Sequence, residues 1–65
     1  MAKQRDMRQA LREKSLLELA MAQDFLDRDN IPETLYAART SASQERIAQI
    51  QRDLDLYTAR YILPR

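Results

Sequence analysis

Asp27-Arg28-Asp29-Asn30-Ile31-Pro32-Glu33 is the stretch at which the chain must turn back on itself. Asp and Asn compete with the helical backbone for hydrogen bonds and weaken any helix that reaches them. Asn30 as an N-cap places Glu33 at the third helical position, the spacing of a capping box. Pro32 then falls in a first turn, where its missing N–H costs little. One helix is therefore predicted to stop near Arg28 and a second to start just after Asn30.

Toward the N-terminus, a helix is expected from about Lys3 to Arg28. At 100° per residue, Met7, Ala10, Leu11, Leu17, Met21, Ala22 and Phe25 share one face. Leu19 and Leu26 widen that face, and Leu16 and Ala20 lie off it. The second half is thus apolar around most of its circumference, the pattern of a helix that touches more than one neighbour. Lys14 and Glu18 sit inside the stripe, four residues apart. Such a pair can fix register or partner number at a cost in stability, or it can reach to water from the stripe's edge.

Toward the C-terminus two stripes follow. Ile31, Leu35, Ala38 and Ala42 form the first; Ile47, Ile50, Leu54, Tyr57 and Tyr61 form the second, at clean three-four spacing. On one straight helix they would point roughly 110° apart. Between them lies Thr40-Ser41-Ala42-Ser43, whose hydroxyls compete for backbone groups, and Ser41-x-x-Gln44 again matches a capping box. Either the arm breaks near residues 40–43, or one long helix presents two faces to two partners. A break near Ser41 is the expectation carried forward. Pro64 is expected to end the last helix by disfavouring helical geometry at Leu63.

Composition agrees with an all-α fold and limits the chemistry. The 65 residues include no Gly, Cys or His, and Pro only at positions 32 and 64. Tight hairpin turns depend on Gly, so sheets are disfavoured. Without Cys there is no disulfide, and without Cys or His the usual zinc, haem and iron–sulfur ligand sets are absent. No metal or cofactor is expected. Hydrophobic residues make up 45% of the chain, too many for an intrinsically disordered one. The longest apolar run, Leu19-Ala20-Met21-Ala22, is far too short to span a bilayer. A soluble cytoplasmic protein with no membrane partner is the expectation.

The net charge is only +1, but it is unevenly spread. Residues 1–17 carry +3, residues 18–33 carry −4 and residues 34–65 carry +2, so basic arms flank an acidic connection. Nothing in the chain forms a catalytic set. Ser15, Ser41 and Ser43 have no histidine to activate them. Asp24, Asp27 and Asp29 lack the glycine and further ligands of a calcium loop. No Gly-rich loop can cradle a phosphate. The chain is read as a non-enzyme without a small-molecule substrate.

The stretch from Glu33 to Arg52 resembles the twenty-residue helix-turn-helix unit of lambda-repressor-like DNA-binding proteins. Ala37 matches the small residue that lets the two helices approach. Ser41 stands at the turn, where that family most often has glycine, and Thr40 where it usually has an apolar residue. Tyr36, Ala42, Ile47 and Ile50 fall on its buried positions, and Ser43–Ile50 looks like the start of its recognition helix. The resemblance implies that Ser43, Gln44, Glu45, Gln49 and Arg52 face the major groove, with Gln suited to adenine and Arg to guanine or phosphate. Arg5, Arg8 and Arg12 lie on one side of the first helix, clear of its apolar face. With Arg39 and Arg46 they are candidate phosphate contacts.

A chain this short buries little. A core below roughly 70–80 residues seldom supplies more than about 3–5 kcal/mol without staples or oligomerisation. The expected architecture is therefore a single all-helical domain over residues 1–65: a long first helix, an acidic turn and a second arm broken near Ser41, in a homodimeric bundle. Ile47, Ile50, Leu54, Tyr57 and Tyr61 are the expected subunit interface. The leading functional expectation is a small DNA-binding regulator of transcription or replication. The alternative is a helical-hairpin adaptor, chaperone or inhibitor that binds another protein through Leu16, Leu19, Leu35 and Ala38. A third possibility, by analogy of shape alone, is an RNA-binding four-helix bundle.

Overall fold

The computed structural model describes residues 2–63. Helix α1 runs from Ala2 to Leu26 and helix α2 from Glu33 to Tyr57. They are joined by a 3-10 turn over Arg28–Asn30, and α2 passes into a π-helical turn over Thr58–Ile62. The helices lie antiparallel as a rod of 50 × 15 × 15 Å with a radius of gyration of 14.9 Å. A compact chain of this length has a radius near 10.7 Å, by the scaling about 2.2·N^0.38. The hairpin is therefore extended, a pair of helices with no third layer.

The reversal is made without glycine. No described residue has a positive φ. The amide of Asn30 donates to the Asp27 carbonyl at 2.8 Å and that of Ile31 to the Arg28 carbonyl at 3.3 Å, which closes the 3-10 turn. Ile31 is extended, at φ −116° and ψ 131°, as the residue before a proline prefers to be. Pro32 follows at φ −53° and ψ 136°, and its carbonyl accepts from the Tyr36 amide at 2.9 Å, the first hydrogen bond of α2. The Arg28 guanidinium lies 4.4 Å from the centre of the Phe25 ring, a cation–π contact that ties the end of α1 to the connection.

Two sequence expectations are corrected here. Asn30 does not cap α2: Pro32 holds that position, with no side-chain capping bond. The reason is local, because Ile31 must be extended ahead of Pro32 and a helix cannot begin through it. The second arm is also unbroken at Ser41, since α2 is a continuous helix from Glu33 to Tyr57. Thr and Ser lower helix propensity by only a few tenths of a kcal/mol each relative to average residues. Ala37, Ala38 and Ala42 beside them are the best helix formers, and no Gly or Pro intervenes. Continuity also keeps Thr40 and Ser43 on the half-buried side of the helix, in line with Ile47 and Ile50.

The seam between the helices follows from these positions. From α1 come Met7, Ala10, Leu17, Ala20 and Met21; from α2 come Tyr36, Thr40, Ser43, Ile47, Ile50, Leu54 and Tyr57. Ile50, 1% exposed, is the only fully buried side chain among the described residues. On the α2 side of the seam Tyr36 is followed by the small polar Thr40 and Ser43, and the seam residues Ile47, Ile50 and Leu54 toward the open end are apolar. There Tyr57 and Tyr61 stack at 5.0 Å between ring centres, tilted by 41°. The π-helical turn ends with the Leu63 amide donating to the Thr58 carbonyl at 2.9 Å. Pro64 lies outside the described residues. No described helix is long and apolar enough to cross a membrane.

Candidate functional site

Two ion pairs strap the helices together along one flank of the seam. Arg39 donates to Asp24 at 2.7 Å. Arg46 makes a two-pronged contact with Glu13, Nε to Oε2 at 2.6 Å and Nη2 to Oε1 at 2.8 Å. That geometry matches guanidinium to carboxylate. The Arg46 guanidinium holds the Glu13 carboxyl below its usual range, chiefly by hydrogen bonding, and Glu13 in turn raises Arg46. Both arginines were expected to hold phosphates. Here their guanidinium groups are engaged within the chain.

The other candidate nucleic-acid residues fall on separate surfaces. Ser43 is half-buried in the seam. Gln44 borders a groove on the flank opposite the straps, with Glu18, Met21, Ile47, Ala48 and Gln51. Gln49 accepts from Arg52 at 2.8 Å and donates to Asp53 at 3.1 Å, a polar chain along α2 itself. Arg52 lies about 160° around α2 from Leu54 at 100° per residue, on its outer side. Arg5, Arg8 and Arg12 are exposed on the outer side of α1 and enter no ion pair among the described residues. The backs of α1 and α2 point in opposite directions, so Arg8 and Arg52 do not share a surface. Ser43 to Arg52 continues α2 and is not a separate element.

The expected subunit interface is placed inside the chain. Ile47, Ile50, Leu54 and Tyr57 line the seam against α1, while Tyr61 stays half exposed beside Tyr57. A short connection presents α1 to this stripe at high effective concentration, so the chain's own helix covers it first. With Met7, the two tyrosines border a cleft of about 280 Å³ at the open end of the hairpin.

The residues expected to bind a protein partner are exposed but do not form one patch. Leu16 is 61% exposed, Leu19 55% and Leu35 48%. The Asp24–Arg39 contact fixes the register, and Leu35 lies one turn nearer the connection while Leu16 lies eight residues farther from it. Leu16 and Leu35 are thus about 18 Å apart along the axis at about 1.5 Å per residue. Leu26, at 81% the most exposed of the large apolar side chains, continues the line of Leu16 and Leu19. Arg5, Arg8, Arg12, Leu16, Leu19, Gln23 and Leu26 recur at intervals of three or four and make one continuous outer edge of α1. Its first half is basic and its second half apolar. Sequence reading noted both halves separately and missed that they are collinear. No family model, no curated protein and no solved structure matches the chain.

Proposed function

We propose that the chain is a helical-hairpin protein-interaction module whose contact edge is the outer face of α1. One observation carries this reading: Leu16, Leu19 and Leu26 stand in line, exposed, on the side of α1 that the hairpin does not use. Large apolar residues in a row on one helix edge are the anchors by which a helix enters a partner's groove. Transferring a Leu side chain from water into such a groove contributes about 1.5–3 kcal/mol. Arg5, Arg8 and Arg12 extend the same edge and suit an acidic surface on the partner. Charges of that kind mainly speed and orient association.

A second reading keeps those three arginines as phosphate contacts on duplex nucleic acid, favoured by their exposure and their freedom from ion pairs among the described residues. It leaves Leu16, Leu19 and Leu26 without a task, and so ranks below the protein reading, which uses the whole edge.

The test is site-specific photo-crosslinking in cells. A benzophenone amino acid replacing Leu19 is expected to give a discrete protein adduct, and one replacing Glu45 on the back of α2 none. The adduct should vanish when Leu16→Glu and Leu26→Glu are added. Absence of any adduct at position 19, together with salt-sensitive duplex binding that Arg8→Ala and Arg12→Ala abolish, replaces this reading with the nucleic-acid one.

A further inference from the structure

Helix α1 carries a second edge whose pattern reads the same from either end. Met7, Leu11, Lys14, Glu18, Met21 and Phe25 follow at intervals of four, three, four, three and four, the alternation of a coiled-coil seam. The two charges stand at the centre and apolar residues lie outside them on both sides. Reversed about the midpoint of residues 14 and 18, Lys14 falls on Glu18, Leu11 on Met21 and Met7 on Phe25.

We propose that this edge binds a second copy of the chain, with α1 antiparallel to its counterpart about a twofold axis at that midpoint. Two hairpins then form a four-helix bundle. Lys14 faces Glu18 of the partner subunit and the reciprocal pair closes the other side of the axis, as a self-complementary isologous contact requires. This edge lies well around α1 from the line of Leu16, Leu19 and Leu26, so self-association leaves the outer edge open.

The edge is only partly covered in the single chain: Met7 and Met21 are half-buried where it borders the seam, and the positions beside them stay open. Leu11 and Phe25 are about half exposed, and the ring of Phe25 remains so despite the Arg28 contact. Lys14 and Glu18 approach each other only to 4.0 Å, which leaves both heads able to take a cross-chain partner. Both straps, Asp24–Arg39 and Glu13–Arg46, lie on the opposite flank. On the proposed side no hydrogen bond among the described residues joins α1 to α2. Instead there is an open groove of about 510 Å³ between Met21 and Ile47. In the antiparallel register, Leu11 of the partner subunit sits over Met21 and enters that groove.

The hairpin leaves ample surface for such a contact. The chain exposes 5517 Å², whereas a compact monomer of its mass exposes about 4,300 Å² by size scaling. A standard interface removes about 800 Å² from each partner, less than the excess that this elongated hairpin exposes over a compact chain of its mass.

A charge swap tests both the dimer and its register. By sedimentation equilibrium the wild-type chain is expected at twice its monomer mass. Lys14→Glu or Glu18→Lys alone sets like charges against each other across the axis and should weaken the dimer by roughly a hundredfold. The double variant should restore it, and an equimolar mixture of the two single variants should give a one-to-one heterodimer. Circular dichroism of each variant checks that helix content is kept. A wild-type chain that stays monomeric at about 100 μM, well above the dissociation constant of a standard-size interface, overturns the proposal. So does a dimer that the single substitutions leave intact, or variants that retain helix yet do not pair on mixing. Leu19→Glu, on the outer edge, should leave the mass unchanged, so failure here is separable from failure of the partner-binding reading.

Discussion

Arg46 reaches from the middle of α2 to Glu13 in the first half of α1 and clasps its carboxylate through Nε and Nη2, at 2.6 and 2.8 Å. The contact spans 33 residues of sequence and, with Arg39–Asp24, sets the register of the hairpin. Because the Glu13 carboxyl is depressed by this contact, its contribution to stability is present above the unfolded carboxylate value. It is lost as pH falls through the lower folded value. Thermal unfolding followed at pH 7 and near pH 3 should show a lower Tm in acid. Glu13→Gln should lower Tm at pH 7 and show a smaller acid loss than wild type. An unchanged acid loss in the variant assigns the effect to other carboxylates.

Ile50 is the one fully buried side chain among the described residues, 1% exposed, and it sits where the apolar half of α2 meets α1. Truncating a buried Ile to Ala removes transfer free energy and leaves a partial cavity, at about 2–5 kcal/mol. In so small a fold that is most of the total stability. Ile50→Ala should therefore abolish the cooperative urea transition or move its midpoint close to zero. Leu56→Ala, at a residue 63% exposed, should change stability by less than about 0.5 kcal/mol. Comparable losses at the two positions would show that Leu56 is covered in solution.

The helical class, the reversal between Arg28 and Glu33 and the apolar face of α1 were legible because each rests on local chemistry: periodicity, poor helix formers and a proline. What Ile47, Ile50, Leu54 and Tyr57 pack against was not legible. A stripe states that it will be covered, and cannot state whether its own chain or a second one covers it. The straps were hidden for a related reason. Glu13 and Arg46 become neighbours only once the antiparallel register is fixed, and no spacing along the chain encodes that. Thr40 and Ser43 escaped notice in the seam because both are small and polar and read as surface residues. Asn30 misled in the opposite sense: its capping pattern is genuine, but Pro32 forces Ile31 out of the helix.

Ser41 offers a direct test of α2's continuity, because glycine has opposite effects in a helix and in a turn. It is exposed in mid-helix, so Ser41→Gly should cost about 0.5 kcal/mol and Ser41→Ala should gain a similar amount. At a turn between two helices, glycine would relieve backbone strain and the order of the two variants would reverse. Chemical denaturation of both against wild type decides the sign. A more stable glycine variant would restore the break near Ser41 and with it the geometry of a separate recognition helix.

The outer edge of α1 separates the two ways in which this chain can meet a partner. Leu16, Leu19 and Leu26 contribute nothing visible to the hairpin, so replacing all three with Glu should leave Tm within the range of ordinary surface changes, about 0.5 kcal/mol in stability. The same substitutions should eliminate binding to the protein captured at position 19, because the apolar anchors supply affinity through slow release. Arg5→Ala, Arg8→Ala and Arg12→Ala together should act differently. Association with that protein should slow and lose its dependence on ionic strength, while the dissociation rate changes little. Surface plasmon resonance at two salt concentrations reads both effects at once. If the arginine variant alone abolishes binding and the leucine variant binds normally, the edge is a polyanion site and the leucines are incidental. If each variant fails in its own kinetic phase, the basic half guides the partner in and the apolar half holds it there.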